Sequence, residues 1–237
     1  EDTGMKRYIS IFSGILLTLS SVSCNFLETT VESNITTNNF FRNTSDFDMA
    51  LTGVYYTFTS VEWDAQHRYG DYFTGFMYWG RIGTDEAYVS HGNNGEDLIG
   101  NYTYTPENLF VEKVWFMQYL GIQRANIVID RLNAYSGDGV SDSERSRILG
   151  EAHFLRAWFY FQLARYYGAV PLVLTETTDL SKLNTTKASL AEVYAQVISD
   201  YEKAEELLPE TNTVGHAYKL AATALKARAY LQMSGEP

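Results

Sequence analysis

Residues 150–173 read GEAHFLRAWFYFQLARYYGAVPLV, and their spacing decides the fold. Together with Ile148, the residues Ala152, Leu155, Phe159, Leu163 and Tyr166 recur at intervals of three and four, which is one face of an α-helix. Phe154, Trp158 and Phe161 add a second apolar stripe, so a helix over 143–167 should be buried on more than one side. Gly168 and Pro171 end it, and Ser141 with Glu144 has the S-x-x-E spacing of a capping box at its start. Within so aromatic a helix Arg156 and Arg165 need partners, and buried ion pairs to neighbouring helices are expected for both. His153 reads as a core or interfacial residue. Glu144 and Glu151 read as carboxylates engaged in helix capping and surface solvation.

Helical periodicity recurs on both sides of this stretch. Ser45 is placed to cap a helix whose buried face is Phe47, Leu51, Val54, Tyr55 and Phe58. From Val61 to Asn108 the period fails, and Gly, Asn, Asp and aromatics predict loops with short elements. A helix over 111–132 carries Trp115, Tyr119, Ile122, Asn126 and Ile129 along one side, with Asn126 expected to hydrogen-bond between helices. Ser189 and Glu192 repeat the capping-box spacing for a helix to Leu208, which Pro209 ends. Its face is Val193, Val197, Tyr201, Ala204 and Leu208. A last helix, 216–233, has small residues at Ala217, Ala221, Ala222, Ala224, Ala227 and Ala229 that permit close helix contact, with no later helix to cover its Ala-rich face. Antiparallel helices of this length predict a mainly α fold of tetratricopeptide-like repeats with a loop-rich insertion.

The N-terminus carries an address. Lys6 and Arg7 precede an uncharged apolar run from Ile9 to Leu19, which at ~1.5 Å per residue covers about half of a ~30 Å hydrocarbon core. Small residues Ser20 to Ser23 follow, and directly after them stands Cys24, the single cysteine of the chain. That order is a secretory signal rather than a membrane span. A lone cysteine at the cleavage point predicts a lipoprotein: residues 5–23 as signal peptide, Cys24 as the acylated residue and 24–44 as a polar tether. Several acyl chains on one residue give a stable anchor where one alone would not. Residues 1–4 read as an upstream remnant.

A net charge of −11 argues against nucleic acid, whose binding needs a basic footprint, and against electrostatic attachment to anionic lipid. With its one cysteine committed to lipid, the chain has no disulfide framework, and no metal or cofactor is expected. None of the H-E-x-x-H, G-x-S-x-G, Walker or G-x-G-x-x-G patterns occurs, so no enzyme activity and no catalytic residue is expected.

The 150–173 segment closely resembles the helix-and-PLV signature of the SusD/RagB family of nutrient-uptake outer-membrane lipoproteins. Other stretches resemble that family in the same order: Cys24-Asn25-Phe26-Leu27-Glu28 after the signal; Phe40-Phe41, then Ser45-Asp46, Ala50-Leu51, Gly53 and Tyr55; the acidic Gly83-Thr84-Asp85-Glu86. Further on come Trp115, Tyr119, Ile122 and Arg124-Ala125-Asn126, then Glu192-Val193-Tyr194 and Leu207-Leu208-Pro209. The resemblance implies a SusD-like fold over 45–237 with its C-terminal part missing. It implies an anchor in the outer membrane, facing the cell exterior. It also implies binding of oligo- or polysaccharide, or another nutrient, and delivery to a TonB-dependent, SusC-like transporter as partner.

A sugar offers apolar C–H faces and a ring of hydroxyls, so a site for it combines flat aromatics with planar polar groups. The segment 69–104 has that mixture. Trp79, Arg81, Tyr88 and Asn93 are the first candidates for ligand contact, with Asn94 and Tyr102 beside them. Two other functions fit the same sequence: a helical-repeat scaffold that binds only protein, and a surface glycoside hydrolase, which would need two carboxylates across a cleft.

Overall fold

The computed structural model describes residues 40–58, 80–89, 95–179, 181 and 186–235. The chain divides into two units, Glu1–Phe40 and Phe41–Pro237, and every described helix belongs to the second. The signal, Cys24 and the tether up to residue 39 lie outside the described residues. Helix α1 is Thr44–Tyr55, extended by a single 3-10 turn, Tyr56–Phe58. A short α2, Glu96–Gly100, interrupts the irregular stretch. The long helices follow: α3 Leu109–Ala134, α4 Asp142–Tyr167, α5 Leu190–Leu207 and α6 Lys219–Gly235.

Capping explains where most of these helices begin. Asn43, not Ser45, caps α1: it is extended, and its side-chain oxygen accepts from Asp46 N at 3.1 Å. Ser45 is already inside the helix. Ser189 and Glu192 close a full capping box, with bonds of 3.2 and 2.7 Å. At α4 only half of the expected box forms. Ser141 Oγ accepts from Glu144 N, while the Glu144 carboxylate turns to Arg147 three residues on. The last helix starts at Lys219, later than expected: Gly215 has a positive φ of 91°, His216 N bonds back to Thr213 O in a turn, and Lys219 N bonds Pro209 O.

Helices α3, α4 and α5 pack antiparallel in succession. Gly121 faces Phe159 and Trp115 faces Tyr167 across α3 and α4; Phe154 faces Tyr201 and Phe161 faces Tyr194 across α4 and α5. A Cβ on Gly121 would lie 2.3 Å from the Phe159 ring, so glycine sets the closeness of α3 to α4. Phe47, Leu51, Ile122, Leu132, Ile148, Leu155, Phe159 and Leu163 form one continuous core, which α5 joins through Val193, Val197 and Tyr201. Arg124 ties α1 to α3 by donating to Gly53 O (2.8 Å) and Thr57 Oγ1 (3.2 Å). On α6, Ala222 and Ala229 are buried, while Leu220, Ala224, Ala227 and Leu231 are exposed along the opposite side.

Gly168, at φ 72°, turns the chain out of α4, and residues 170–177 then run as a strap over α3 and α4. Among the described residues its backbone has no ladder to join apart from one bridge between Pro171 and Lys187. Side chains supply the missing partners. Tyr119 donates to Pro171 O at 2.7 Å, and the Tyr160 hydroxyl both donates to Val173 O and accepts from Val173 N. Asn126 donates to Val173 O and Thr175 O, while Asp130 accepts from Glu176 N and Gln123 from Thr177 N. The PLV segment is therefore a structural clamp across the first helix pair.

Candidate functional site

Two kinds of polar site are present, and they differ in what their side chains leave free. The first is buried. Asp200 on α5 receives Arg156 Nε at 2.9 Å and NH2 at 2.7 Å, and its Oδ1 lies 2.8 Å from His153 Nδ1. Arg156 also donates to Asn126 Oδ1 and to Leu174 O. Burial alone would raise the Asp200 carboxyl, but the bonds from His153 and Arg156 outweigh it and hold the group at about 2. Burial likewise opposes the Arg156 charge, and Asp200 more than compensates. The expected buried ion pair at Arg156 is thus present, and His153 and Asn126 are interfacial residues. Arg165 departs from expectation. It is exposed, bonded only weakly to Gln162 (3.3 Å), with its guanidinium over the Phe161 and Tyr166 rings.

Glu151 also corrects the sequence reading. It is 0% exposed, and its two oxygens accept from Arg147, Asn212 and the Tyr55 hydroxyl, with His216 Nδ1 at 2.8 Å. Burial, then the Glu151 charge, push the Tyr55 phenol well above its ordinary range, so it stays a donor. The only sequence signal for this cluster is the i, i+3, i+7 run Glu144, Arg147, Glu151, which places both carboxylates within reach of one guanidinium. Glu144 and Glu151 are therefore both paired with Arg147.

The second site is the irregular excursion between α1 and α3. Trp79, Asn93 and Asn94 lie outside the described residues. Of the other candidates, Arg81, Tyr88 and Tyr102 are all exposed, Tyr88 by 87% and Tyr102 by 72%. Arg81 stands 4.0 Å from Glu86, a loose pair in water. The turn between them is held by Thr84, whose hydroxyl donates to Arg81 O (2.8 Å) and accepts from Glu86 N (3.2 Å).

Tyr102 is built in at a conformational cost. It ends α2 in a Schellman motif: Tyr102 N bonds Ile99 O and Thr103 N bonds Leu98 O. The residue at that position takes a left-handed conformation, normally supplied by Gly or Asn, yet here it is Tyr at φ 57°. A bulky residue there costs about 1–2 kcal/mol. Its hydroxyl donates to Gly83 O at 2.9 Å, and a Cβ on Gly83 would meet the Tyr102 ring at 3.1 Å. The ring is thus fixed over the Gly83 turn with its outer face in solvent. The structure brings Tyr102 and the Arg81–Glu86 turn together, and Tyr88 stands in solvent. Asn108 closes the excursion, donating to Gly95 O and capping α3 at Phe110 N.

Comparison with known proteins settles the family. The family model described as "Starch-binding associating with outer membrane", a SusD-like family, matches residues 25–231. The chain belongs to the SusD-like family. SusD-like protein P38 of Formosa agariphila is 32% identical over 241 residues, 97% of this chain and 44% of that protein. SusD-like protein P2 of the same organism is 28% identical over 238 residues, 96% and 43% respectively. Among solved structures, a laminarin binding SusD-like protein superposes with a TM-score of 0.66 at 25% identity, covering 81% of this chain and 41% of that one. The chain therefore spans less than half the length of the SusD-like relatives it matches. The shared fold is the tetratricopeptide-like helical array described above.

Proposed function

We propose that this SusD-like chain is the helical-repeat portion of an outer-membrane surface lipoprotein. In this role it binds glycan without catalysing any reaction on it and hands it to a TonB-dependent, SusC-like transporter. The observation that carries the binding role is Tyr102: an aromatic ring held face-out, by its own hydroxyl, in a backbone conformation that disfavours it. Strain retained at an exposed aromatic points to a use for the ring, and a pyranose C–H face is the flat apolar surface that such a ring stacks on. Arg81 and the neighbouring turn supply planar polar groups at its edge, and Tyr88, Trp79, Asn93 and Asn94 extend the same segment. The name of the laminarin-binding relative supports a polysaccharide as ligand.

Native gels containing laminarin or starch test this. Retarded migration of the wild-type chain, weakened by Tyr88→Ala and Trp79→Ala, is the expected result. The anchor is tested separately: Cys24→Ala should move the protein from the membrane to the soluble fraction. A second reading is favoured by the exposed Leu220 and Leu231 on α6, which suit a protein partner. Co-purification of a transporter with unretarded migration in both gels would support that scaffold role instead.

A further inference from the structure

One buried carboxylate fastens the connection between α5 and α6. Glu151 Oε1 accepts from Arg147 and Asn212, each at 3.0 Å; Oε2 accepts from Tyr55 at 2.7 Å and lies 2.8 Å from His216 Nδ1. The Tyr55 hydroxyl also accepts from Ala217 N at 2.9 Å, and Asn212 donates to Ala217 O at 2.7 Å. Residues 212–217 are thereby bound to α1 and α4, two residues before α6 begins.

The charges in this cluster do not balance. From α1, Asp48 and Tyr55 face it; from α4, Glu144, Arg147 and Glu151. Within the connection Glu210 is taken up by Lys219 at 2.9 Å. Arg147 alone thus serves three carboxylates, those of Asp48, Glu144 and Glu151. Among the described residues, the remaining group at the cluster that can supply a positive charge is His216. Its side chain is 34% exposed, so it exchanges protons with water, and its ring lies 5.2 Å from that of Tyr55.

We propose that His216 is a proton-dependent latch: its imidazolium fastens the connection 209–218, and so the start of α6, to Glu151 and Tyr55, and loss of the proton loosens it. A neutral imidazole can still donate from Nδ1, but only the cation adds charge to a cluster rich in carboxylates and rests favourably against the Tyr55 ring. Glu151 is buried, so the difference is weakly screened at its carboxylate. Because the protonated form makes the stronger attachment, the latch tightens as pH falls and weakens as pH rises.

Amide hydrogen exchange at Ala217 in the full chain, corrected for the intrinsic pH dependence of exchange, tests the latch. The opening constant should be about fivefold larger at pH 8 than at pH 5.5, and His216→Gln should flatten that ratio. Equal opening at both pH values in the wild type, or an unchanged ratio in His216→Gln, overturns the proposal. If the variant fails to fold, the wild type decides by NMR. The Ala217 amide and the His216 ring signals should titrate with one shared midpoint, and separate midpoints would overturn the latch.

Discussion

The α3–α5 core and the 80–104 excursion treat their polar and aromatic groups in opposite ways. In the core, Arg156, Asp200, His153 and Asn126 bond one another or the 170–177 strap, and Tyr119 and Tyr160 spend their hydroxyls on strap carbonyls. In the excursion, Tyr88 stands in solvent and Tyr102 uses its hydroxyl only to hold its ring in place. A group that is consumed stabilises the fold; a group that is held but left open is available to a ligand. On the proposed reading, this difference separates the scaffold from the candidate site.

The largest expected effect breaks the core side of that contrast. Asp200→Ala leaves Arg156 buried without its carboxylate, and should cost about 3–5 kcal/mol of unfolding free energy, read from urea denaturation. Acid should do the same more gently. The folded Asp200 carboxyl is depressed to about 2, below its unfolded value near ~3.9, so the unfolded chain binds the proton first as pH falls. Its stabilisation, on the order of 2 kcal/mol, is present above about pH 4 and lost as pH falls towards 2. A urea midpoint that falls as steeply in Asp200→Asn as in the wild type over this interval would assign the acid loss to other groups. On the excursion side the sign reverses. Tyr102→Gly relieves the left-handed strain and should leave the melting temperature unchanged or raise stability by up to about 1 kcal/mol. Smallest of all, Arg81→Ala should change stability by less than about 0.5 kcal/mol, since its pair with Glu86 is loose and exposed.

The sequence shows the helices well, because long apolar stripes and caps are local signals. It misplaces the first cap because Asn43 and Ser45 are both good capping residues two positions apart, and only the backbone distinguishes them. It reads Glu151 as a surface group because three of its partners, Tyr55, Asn212 and His216, stand 96, 61 and 65 residues away. No periodicity reveals such distant partners. Arg165 departs from its expected burial for the reverse reason: α4 is buried on most sides but not on its last turn. At the candidate site, residue type alone selected Tyr102 and Arg81, whereas the strained backbone at Tyr102 could not be foreseen, since that position ordinarily carries glycine.

The claim that the excursion is the binding site and the helical core its support is tested most directly by Tyr102→Gly on a native gel containing laminarin, run beside the wild type and paired with a melting curve. The account predicts that the wild type is retarded, that Tyr102→Gly migrates as in a gel without polysaccharide, and that its melting temperature does not fall. Retardation of Tyr102→Gly equal to that of the wild type would contradict it.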